Sequence, residues 1–449
     1  MLKYIFDLFI YTFKRYNTFM EICSIILSAG KGSRMHSNTA KPLHTISGKP
    51  MIEWVIDATE MAGIQNNIIV IPENNNDFKE ISKRNKIVIQ KYPLGTGDAV
   101  KKATSSLKKF NGLILICFAD TPFIKTESLT KIINTFDDKT KLVITGFRKI
   151  EKNNYGKIFF SSNFEPIEIV EQKDCEEKNI HSEFCNGGIM CIHSSVINDL
   201  DKIIKNKITG EFYLTDLVNI LFKSEKKISF VEIEEEEILG INNQIDLSVA
   251  EKIAQNSLRK KAMLNGVKMI DPDSVFLNFD TKLENNVVIH PNVVFGKNVT
   301  IEESVEIKSF SHIEECKINT GAVIGPFARI RGESIVGENT KIGNFVEIKK
   351  SKLFENVKVN HLSYIGDTEI GSSTNIGAGT ITCNYDGKNK NKTVIGNNSF
   401  IGSNSTIIAP IQIGNDVVLG AGSTFNKKIP DKTLSIGRAH QVNKPRKEN

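Results

Sequence analysis

Single large apolar residues recur every six positions through the C-terminal part of the chain. The period begins at Ile289, slips to five residues at several points, is interrupted between Thr380 and Thr393, and then runs to Phe425. Neither a helix, with 3.6 residues per turn, nor a strand, with a two-residue repeat, produces this spacing. It is typical of hexapeptide repeats that wind into a parallel β-helix, in which each apolar residue points to the axis. The members of this apolar ladder are Ile289, Phe295, Ile301, Ile307, Ile313, Ile318, Ile324, Ile330, Val336, Ile342, Ile348, Leu353, Val359, Ile365, Ile370, Ile376, Ile395, Ile401, Ile407, Ile413, Leu419 and Phe425.

Glycine follows or flanks many positions of the apolar ladder, as the tight corners of a coil require. The interruption carries the sequence T-I-T-C-N-Y-D-G-K-N-K-N-K, which we expect to leave the regular coil as a functional loop. An all-β sandwich with regular strand spacing is the alternative interpretation. It is disfavoured because strict alternation of apolar and polar residues is missing while the long period persists.

The N-terminal half shows short apolar runs that alternate with helical stretches. This alternation predicts a mostly parallel, doubly wound sheet of the Rossmann-like type. A stretch at 244–264 is rich in charge and contains no proline or glycine, so it predicts a helix that connects the two halves. The strands are predicted over 22–27, 68–71, 87–90 and 113–117, and two helices over 52–61 and 97–107.

The composition narrows the possible ligands. A length of 449 residues predicts two or three domains, and 40% apolar with 24% charged residues is ordinary for a soluble protein. The net charge of +6 is modest and scattered, apart from a basic tail around Lys444, Arg446 and Lys447, which favours small anionic ligands over nucleic acid. Seven cysteines without a C-x-x-C pair argue against a disulfide framework and a structural zinc site. A cytoplasmic location fits best.

Residues 1–19 do not resemble the rest of the chain. Their apolar stretch at 5–13 is interrupted by Asp7, is too short to span a bilayer and lacks a small-residue cleavage site. We expect an N-terminal extension that is not native because translation starts at Met20, or a frayed segment. A weak amphipathic surface anchor is the alternative.

The ends of the predicted strands carry the candidate chemistry. The sequence S-A-G-K-G-S-R-M at 28–35 places a glycine loop and a basic cluster directly after a strand, a pattern that binds phosphate through backbone N–H groups, although the spacing is not that of a Walker A loop. The segment 90–96 and Asp120 also follow strands, so all three can meet beyond the carboxyl edge of the sheet. A carboxylate there suits Mg²⁺, whereas the plainer interpretation of Asp120 is a strand-end turn residue.

Several motifs together resemble a known family. In order they are L-S-A-G-K-G-S-R-M at 27–35, A-K-P-L-H at 40–44, L-G-T-G at 94–97, N-Y-G-K-I at 154–158, I-V-E-Q-K-D at 169–174, N-G-G-I at 186–189, G-E-F-Y-L-T-D at 210–216 and G-I-N-N at 240–243. Joined to the hexapeptide ladder, they resemble the bifunctional N-acetylglucosamine-1-phosphate uridyltransferase/glucosamine-1-phosphate acetyltransferases. The resemblance covers about residues 20–440 in unbroken order.

The resemblance implies a nucleotidyl-transfer site in the first half. Arg34 and Lys41 would act as catalytic cations on the phosphates, and Asp120 with Asn242 would hold Mg²⁺. Gln90 has an amide that can donate to and accept from a uracil edge. The implied residues that bind UTP and the UDP-sugar are Leu27, Ala29, Gly30, Lys41, Gln90, Gly95, Thr96, Gly156, Glu171, Asn186 and Asn242.

The resemblance implies a second active site on the β-helix. Acetyl transfer to an amine needs a base, and His361 is the natural one because histidine, with a reference pKa near 6.5, is largely neutral at physiological pH. Glu347 would orient the amine. The implied ligands of glucosamine 1-phosphate are Arg331, Lys349, Tyr364, Asn375 and Lys390, and those of acetyl-CoA are Ala378, Asn384, Tyr385, Ser403, Ala421 and Arg438.

The sequence therefore predicts an α/β Rossmann-like nucleotidyltransferase domain at 20–243, a linker helix at 244–265 and a left-handed parallel β-helix acetyltransferase domain at 266–449. The resemblance implies a homotrimer with shared acetyltransferase sites in bacterial envelope synthesis, using UTP, acetyl-CoA and glucosamine 1-phosphate. Two alternatives are a nucleotidyltransferase whose β-helix only trimerises it and a regulatory binding protein without catalysis. Five positions depart from the usual family residues, namely Ser28, Asp98, Ala119, Gly187 and Gly332.

Overall fold

A computed structural model describes residues 20–30, 32–73, 76–107, 109–151, 153–172, 174 and 181–445. The N-terminal extension, residues 1–19, lies outside the described residues, as do Lys31, Lys173, Arg446 and Lys447 of the motifs and the basic tail. The chain divides into two compact units, Met1–Ala250 and Glu251–Asn449, and each is described by itself below. Among the described residues, no helix combines the length and the apolar character needed to cross a membrane.

The first unit is built on a sheet of mostly parallel strands. Its strands follow the path β11-β7-β10-β6-β1-β4-β5, with the β8-β9 hairpin attached to β10. All neighbours on this path are parallel except β10, which is antiparallel to β6 and to β7. The strands of the first unit are β1 (Glu21–Leu27), β2 (Thr45–Ile46), β3 (Lys49–Pro50), β4 (Asn66–Pro72), β5 (Lys86–Gln90), β6 (Gly112–Phe118), β7 (Thr140–Arg148), β8 (Lys157–Phe160), β9 (Pro166–Val170), β10 (Phe184–His193) and β11 (Lys227–Glu232).

Helices cover both faces of this sheet, because the central strands are apolar on both sides and must be buried on both. The predicted helix at 97–107 is divided in the structure into an α-helix and a 3₁₀ turn at Ser105–Leu107. The α-helices are α1 (Met51–Met61), α2 (Lys79–Ser82), α3 (Thr96–Thr104), α4 (Thr126–Asn134), α5 (Asp216–Lys223) and α6 (Gln244–Leu264). The other 3₁₀ segments are Ser33–Met35, Lys41–Leu43, Asn76–Phe78, Ser194–Lys202, Glu235–Ile238 and Pro272–Ser274.

The second unit is a left-handed parallel β-helix with three parallel sheets, so the predicted fold class is confirmed for both halves. The first sheet comprises β12 (Lys268–Met269), β14 (Val288–Ile289), β17 (Glu306–Ile307), β20 (Val323–Ile324), β23 (Lys341–Asn344), β26 (Lys358–His361), β29 (Asn375–Ile376), β32 (Phe400–Ile401), β35 (Val418–Leu419) and β37 (Leu434–Ser435). The second comprises β13 (Lys282–Leu283), β16 (Val299–Ile301), β19 (Cys316–Ile318), β22 (Ser334–Val336), β25 (Lys352–Leu353), β28 (Thr368–Ile370), β31 (Thr393–Ile395) and β34 (Ile411–Ile413). The third comprises β15 (Val294–Phe295), β18 (His312–Ile313), β21 (Arg329–Arg331), β24 (Glu347–Lys349), β27 (Tyr364–Gly366), β30 (Ile381–Cys383), β33 (Thr406–Ile408) and β36 (Thr424–Phe425).

Every member of the predicted apolar ladder is buried along the axis of this β-helix, with at most 5% of its surface exposed. The interruption is shorter than the sequence predicts, because β30 lies inside it and only the segment 384–392 leaves the coil. Thr382 fills the ladder position there and is fully buried. Its hydroxyl accepts from the Gly366 N–H at 2.8 Å, so a polar side chain replaces an apolar one without a lost hydrogen bond.

The helix α6 carries side chains that cover the first coil of the β-helix. The Gln255 amide exchanges two hydrogen bonds with the backbone of Leu277, at 2.7 and 2.9 Å. Arg259 is 5% exposed and donates to the Val275 carbonyl. These bonds satisfy polar groups that would otherwise be buried without partners at the open end of the coil.

Candidate active sites

The first site is a cavity of about 660 Å³ at the carboxyl edge of the sheet in the first unit. Leu27 ends β1 and pairs in register with Phe118 at the end of β6, which brings both strand ends to one edge. Several motifs that are distant in sequence meet at this cavity. The residues that sequence reasoning assigned to ligands and that line it are Leu27, Ala29, Gly30, Gln90, Gly95, Thr96, Asp120, Glu171 and Asn186.

The L-G-T-G loop is held against the G-E-F-Y-L-T-D motif by backbone pairing. The Phe212 N–H donates to Leu94 O at 2.8 Å, and Phe212 O accepts from Gly97 N–H at 2.9 Å. Gly95 has φ 105°, and a Cβ there would lie 2.5 Å from Phe212 O, so both the backbone angle and the space demand glycine. The Thr96 hydroxyl accepts from the Leu214 N–H at 3.0 Å. These contacts explain why the two motifs occur together.

The phosphate end of the site is a second cavity of about 360 Å³ beside the first. The Lys41 ammonium lies 2.5 Å from Asp120 Oδ2 and 2.9 Å from Asn242 Oδ1. The Arg34 guanidinium donates from Nη2 to the same Asn242 oxygen at 2.9 Å. Gly32 has φ 58°, and a Cβ there would lie 2.7 Å from the Lys41 Cβ, so glycine lets the loop close over the lysine. The four predicted polar residues of this end are therefore connected in one chain of contacts that runs from Arg34 through Asn242 and Lys41 to Asp120.

The donor set at this point fits a hard divalent cation. The oxygens of Asp120 and Asn242 both point to one position, which the Lys41 ammonium takes in this structure. The described residues contain no cluster of three His, Cys, Asp or Glu side chains that could hold a metal. One carboxylate and one amide oxygen are what Mg²⁺ uses when water and substrate phosphates complete its octahedron.

Another part of the cavity is lined by the acidic side chain of Glu171 and by Asn186, where strand β10 has a bulge. Burial raises the pKa of the Glu171 carboxyl, and the Thr215 hydroxyl donates to its Oε1 at 3.1 Å. Gly156 lies beside Glu171, and its carbonyl accepts from the Asn186 N–H at 2.8 Å. Thr215 was not singled out from the sequence, although it lies within the quoted motif G-E-F-Y-L-T-D.

The structure gives a physical reason for two of the five positions that depart from the usual family residues, Gly187 and Gly332. A Cβ at Gly187 would lie 2.7 Å from the Thr145 hydroxyl oxygen, so the fully buried Thr145 already fills the space that a larger residue would need. Gly332 has φ 71°, a value that proline cannot adopt. The Ser28 hydroxyl is buried without a hydrogen-bond partner, and nothing in the structure explains Ala119.

Asp98 has a defined partner in the nucleotide cavity. Its Oδ2 accepts from Gln90 Nε2 at 2.7 Å and from the Lys102 ammonium at 2.8 Å. Gln90 Nε2 also donates to Gly95 O at 3.2 Å. In this arrangement both hydrogens of the Gln90 amide nitrogen are donated within the protein, which leaves the amide oxygen as the group available to a base.

The second site lies on one corner of the β-helix. His361 Nδ1 lies 2.8 Å from Asn344 Oδ1, one coil earlier. An amide oxygen only accepts, so the ring proton lies on Nδ1 and Nε2 has a free lone pair. Asn344 was not recognised from the sequence, because its only local signal is its place at the start of the segment N-F-V-E-I-K-K at 344–350.

His361 lies two positions after Val359, a ladder residue of the first sheet. The residues in the equivalent place in other coils, two positions after a ladder residue of that sheet, form a column along the β-helix. The backbone carbonyl of one member accepts from the N–H of the residue that follows the next member. For example, Ala378 O accepts from Asn404 N–H at 2.7 Å, and Ser403 O accepts from Gly422 N–H at 2.8 Å. Beyond the imidazole the side chains of the column are small. We call this set the catalytic column, and it consists of Asn344, His361, Ala378, Ser403 and Ala421.

The end of the catalytic column carries an arginine, and the extruded loop carries the remaining acetyl-CoA candidates. Arg438 Nη1 donates to the Ala421 carbonyl at 2.5 Å. Asn384 is buried and its amide donates to the Asp367 carboxylate. Tyr385 is 60% exposed, and its hydroxyl donates to Gly387 O at 2.7 Å.

Cations cluster on the adjacent third sheet. Arg331 Nε donates to Glu347 Oε1 at 2.7 Å. The neighbouring Lys390 ammonium and partial burial lower the pKa of Lys349, while Asp367 opposes this shift. Asn375 lies on the first sheet instead, so the structure of one chain does not bring it together with Arg331 and Lys349.

An apolar column runs beside the catalytic column. The exposed rings of Phe310, Phe327 and Phe345 stack with centroids 4.9 and 5.1 Å apart. All three residues have positive φ angles, at 61°, 54° and 55°. Leu362, which directly follows His361, continues this row with φ 50° and 62% exposure. We call these four residues the apolar corner.

Comparisons with known proteins agree with this geometry. Residues 24–187 match the family of MobA-like NTP transferase domains, and residues 280–315, 315–350 and 392–427 each match the bacterial transferase hexapeptide family, a unit of six repeats. The fold and these family matches together define a nucleotidyltransferase joined to a hexapeptide-repeat acyltransferase.

Relatives cover almost the whole chain. The bifunctional protein GlmU of Zymomonas mobilis is 39% identical over 428 residues, 94% of this chain and 95% of that protein. The GlmU protein of Wolbachia pipientis wMel is 42% identical over 424 residues, 94% of this chain and 97% of that protein. The GlmU protein of Bartonella quintana is 40% identical over 431 residues, 95% of this chain and 96% of that protein. The chain belongs to the GlmU family of bifunctional uridyltransferase and acetyltransferase enzymes.

Proposed function

We propose that the chain acetylates glucosamine 1-phosphate with acetyl-CoA and then transfers UMP from UTP to the N-acetylglucosamine 1-phosphate formed, releasing UDP-N-acetylglucosamine and pyrophosphate. The observation that supports this best is the presence of two separate sets of reactive side chains, one in each half of the chain. One is the contact of Lys41 and Arg34 with Asp120 and Asn242 beside the nucleotide cavity. The other is the His361–Asn344 pair on the first sheet together with the cations of the third sheet.

In the uridyltransferase step, a phosphate oxygen of the sugar phosphate attacks the α-phosphorus of UTP and pyrophosphate leaves. Arg34 and Lys41 neutralise the charge that develops on the phosphates, which in-line phosphoryl-type transfers require. Asp120 and Asn242 hold Mg²⁺, which supplies further charge neutralisation when bound. Gly156, Glu171 and Asn186 contact the sugar, and the residues of the first cavity bind the uridine.

In the acetyltransferase step, the amine of glucosamine 1-phosphate attacks the thioester carbonyl, the C–N bond forms and CoA leaves as a thiol. The free Nε2 of His361 takes the proton that the amine loses, and the Asn344 oxygen keeps the ring in the required tautomer. Arg331, Lys349 and Lys390 bind the sugar phosphate, together with Tyr364. Acetyl-CoA lies along the catalytic column, with Asn384, Tyr385 and Arg438 at its sides.

We propose a cytoplasmic homotrimer whose acetyltransferase sites are shared between chains. Two features support sharing. The apolar corner leaves three stacked phenylalanines exposed beside His361, a surface that a second copy can cover. Asn375 lies on a different sheet from the cations that bind the same ligand, so another chain can supply it. Within each chain the uridyltransferase domain comprises residues 20–243, the linker helix 244–265 and the acetyltransferase domain 266–449.

Crossed variants test the two activities. The Asp120→Asn protein should lose UDP-sugar formation from N-acetylglucosamine 1-phosphate and UTP yet keep acetyl transfer. The His361→Ala protein should show the reverse, and each variant is the folding control for the other. Normal acetylation by His361→Ala would mean that the second site is misassigned, and normal uridylyl transfer by Asp120→Asn would mean the same for the first.

A further inference from the structure

The amide of Gln90 is fixed in one orientation within the nucleotide cavity. Gln90 is 4% exposed and lines this cavity. Its Nε2 donates one hydrogen to Asp98 Oδ2 at 2.7 Å and the other to Gly95 O at 3.2 Å. The two acceptors belong to helix α3 and to the loop before it, so the amide is held between two neighbouring parts of the chain.

The reverse orientation of this amide is excluded by chemistry. Carboxylates and carbonyls cannot donate hydrogen bonds. A flipped Gln90 would place its own carbonyl oxygen against the Asp98 carboxylate and against Gly95 O, which replaces two attractions by two repulsions. The choice between the amide nitrogen and oxygen therefore follows from the partners alone.

Once both hydrogens of Nε2 are used, only Oε1 of Gln90 remains for a ligand. An oxygen of this kind accepts and cannot donate. The imide N3–H of uracil is a donor, whereas the N3 atom of cytosine carries a lone pair. Opposite position 3 of the base, Gln90 Oε1 is a favourable partner for uracil and a repulsive one for cytosine. Opposite position 4 it would accept from the cytosine amino group instead, so a preference for uracil requires the contact with N3.

We propose that Asp98 is a positioning residue for base selection: it holds Gln90 so that Oε1 faces position 3 of the base, accepts from the N3–H of uracil and thereby prefers uridine over cytidine nucleotides. The inference rests on the proposed uridyltransferase activity. Asp98 touches no substrate in this scheme and acts through Gln90. Lys102, one helical turn further along α3, neutralises the Asp98 carboxylate, so that its charge does not repel the triphosphate.

Nucleotide competition in the full-length protein tests this role. The quantity to measure is kcat/KM for UTP divided by kcat/KM for CTP, with N-acetylglucosamine 1-phosphate as the second substrate. Asp98→Ala releases the amide, and the ratio should fall roughly tenfold, the effect of losing one hydrogen bond to a charged acceptor. Asp98→Asn keeps an acceptor oxygen toward Gln90, so its ratio should stay within about twofold of the wild type.

Lys102→Met is the matched control, because it removes the second partner of Asp98 and leaves the contact with Gln90 in place. Its ratio should stay within about twofold of the wild type. An unchanged ratio in Asp98→Ala, or an equal loss in Asp98→Asn, overturns the positioning role even if UTP is the normal substrate. A wild-type protein that neither binds nor uses UTP overturns the uridyltransferase proposal itself, which distinguishes the two failures.

Discussion

The contact between Asn344 and His361 makes a quantitative prediction about acetyl transfer. Asn344 Oδ1 lies 2.8 Å from His361 Nδ1, and both side chains are on the outside of the coil. The Asn344→Ala variant removes the only acceptor that the described residues offer to this nitrogen. The ring then rotates and exchanges tautomers, so the Nε2 lone pair faces the amine for a smaller fraction of the time.

The expected size follows from the exposure of the pair. A neutral, solvent-accessible hydrogen bond contributes about 1 kcal/mol, which corresponds to a decrease in kcat of about fivefold. The KM values for glucosamine 1-phosphate and acetyl-CoA should stay near those of the wild type, because neither ligand is bound by Asn344 in the proposed site. The assay is steady-state acetylation, followed by CoA thiol release.

A second variant, Asn344→Asp, predicts the direction in which the pH dependence of kcat should shift. Asn344→Asp places a carboxylate beside the ring, which favours its protonated form, so the acid limb of the kcat profile should move to higher pH. Lys341→Ala changes an exposed residue of the same strand and should leave the profile unchanged. If Asn344→Ala keeps wild-type kcat, or if Asn344→Asp leaves the acid limb in place, Asn344 does not position the base.

Three further predictions concern stability and phosphate binding. Ile330→Ala should lower the free energy of unfolding of the β-helix by about 3 to 4 kcal/mol, because Ile330 is fully buried. The control Ile335→Ala, at a position that is 37% exposed, should lower it much less in the same denaturant titration. Gly187→Ala should lower the melting temperature measured by circular dichroism, because the new Cβ would lie 2.7 Å from a buried hydroxyl; an unchanged value would show that the strand can shift. Lys390 lowers the pKa of Lys349, so Lys349 should lose its charge at a lower pH than an ordinary lysine, and the KM for glucosamine 1-phosphate should begin to rise at that lower pH. The Lys390→Met variant should move this rise in KM to higher pH. A pH dependence of KM that the variant does not change would contradict the coupling.

The sequence predicted most of the fold because its two patterns are set by geometry. The six-residue period follows from the length of one face of the coil, so each ladder residue could be placed on the axis without knowledge of its neighbours. Thr382 could not, because a polar residue in a buried position gives no apolar signal, and its partner Gly366 lies 16 residues away. The glycine loop and Asp120 were recognisable because each follows a strand.

The contacts missed from the sequence are those between side chains of different motifs. Asn344 meets His361 only because one coil separates them, and an asparagine alone has no chemical signature. The restriction on Gln90 depends on a carboxylate eight residues later that the family pattern does not contain. The apolar corner could not be predicted, because phenylalanine rarely adopts a positive φ. Only the structure shows that equivalent corners of successive coils stack and place a large apolar residue in this conformation each time.

The members of the catalytic column are spaced at fixed intervals along the axis of the β-helix. Successive members are displaced along the axis by the spacing of neighbouring strands, roughly 4.8 Å, so His361 and Ala421 are separated by roughly 14 Å over three coils. The length of the proposed acetyl-CoA path along this column can therefore change only in whole coils. Inserting or deleting one complete coil of three hexapeptides between these residues would keep the apolar axis in register and would change the distance between His361 and Ala421 by one strand spacing.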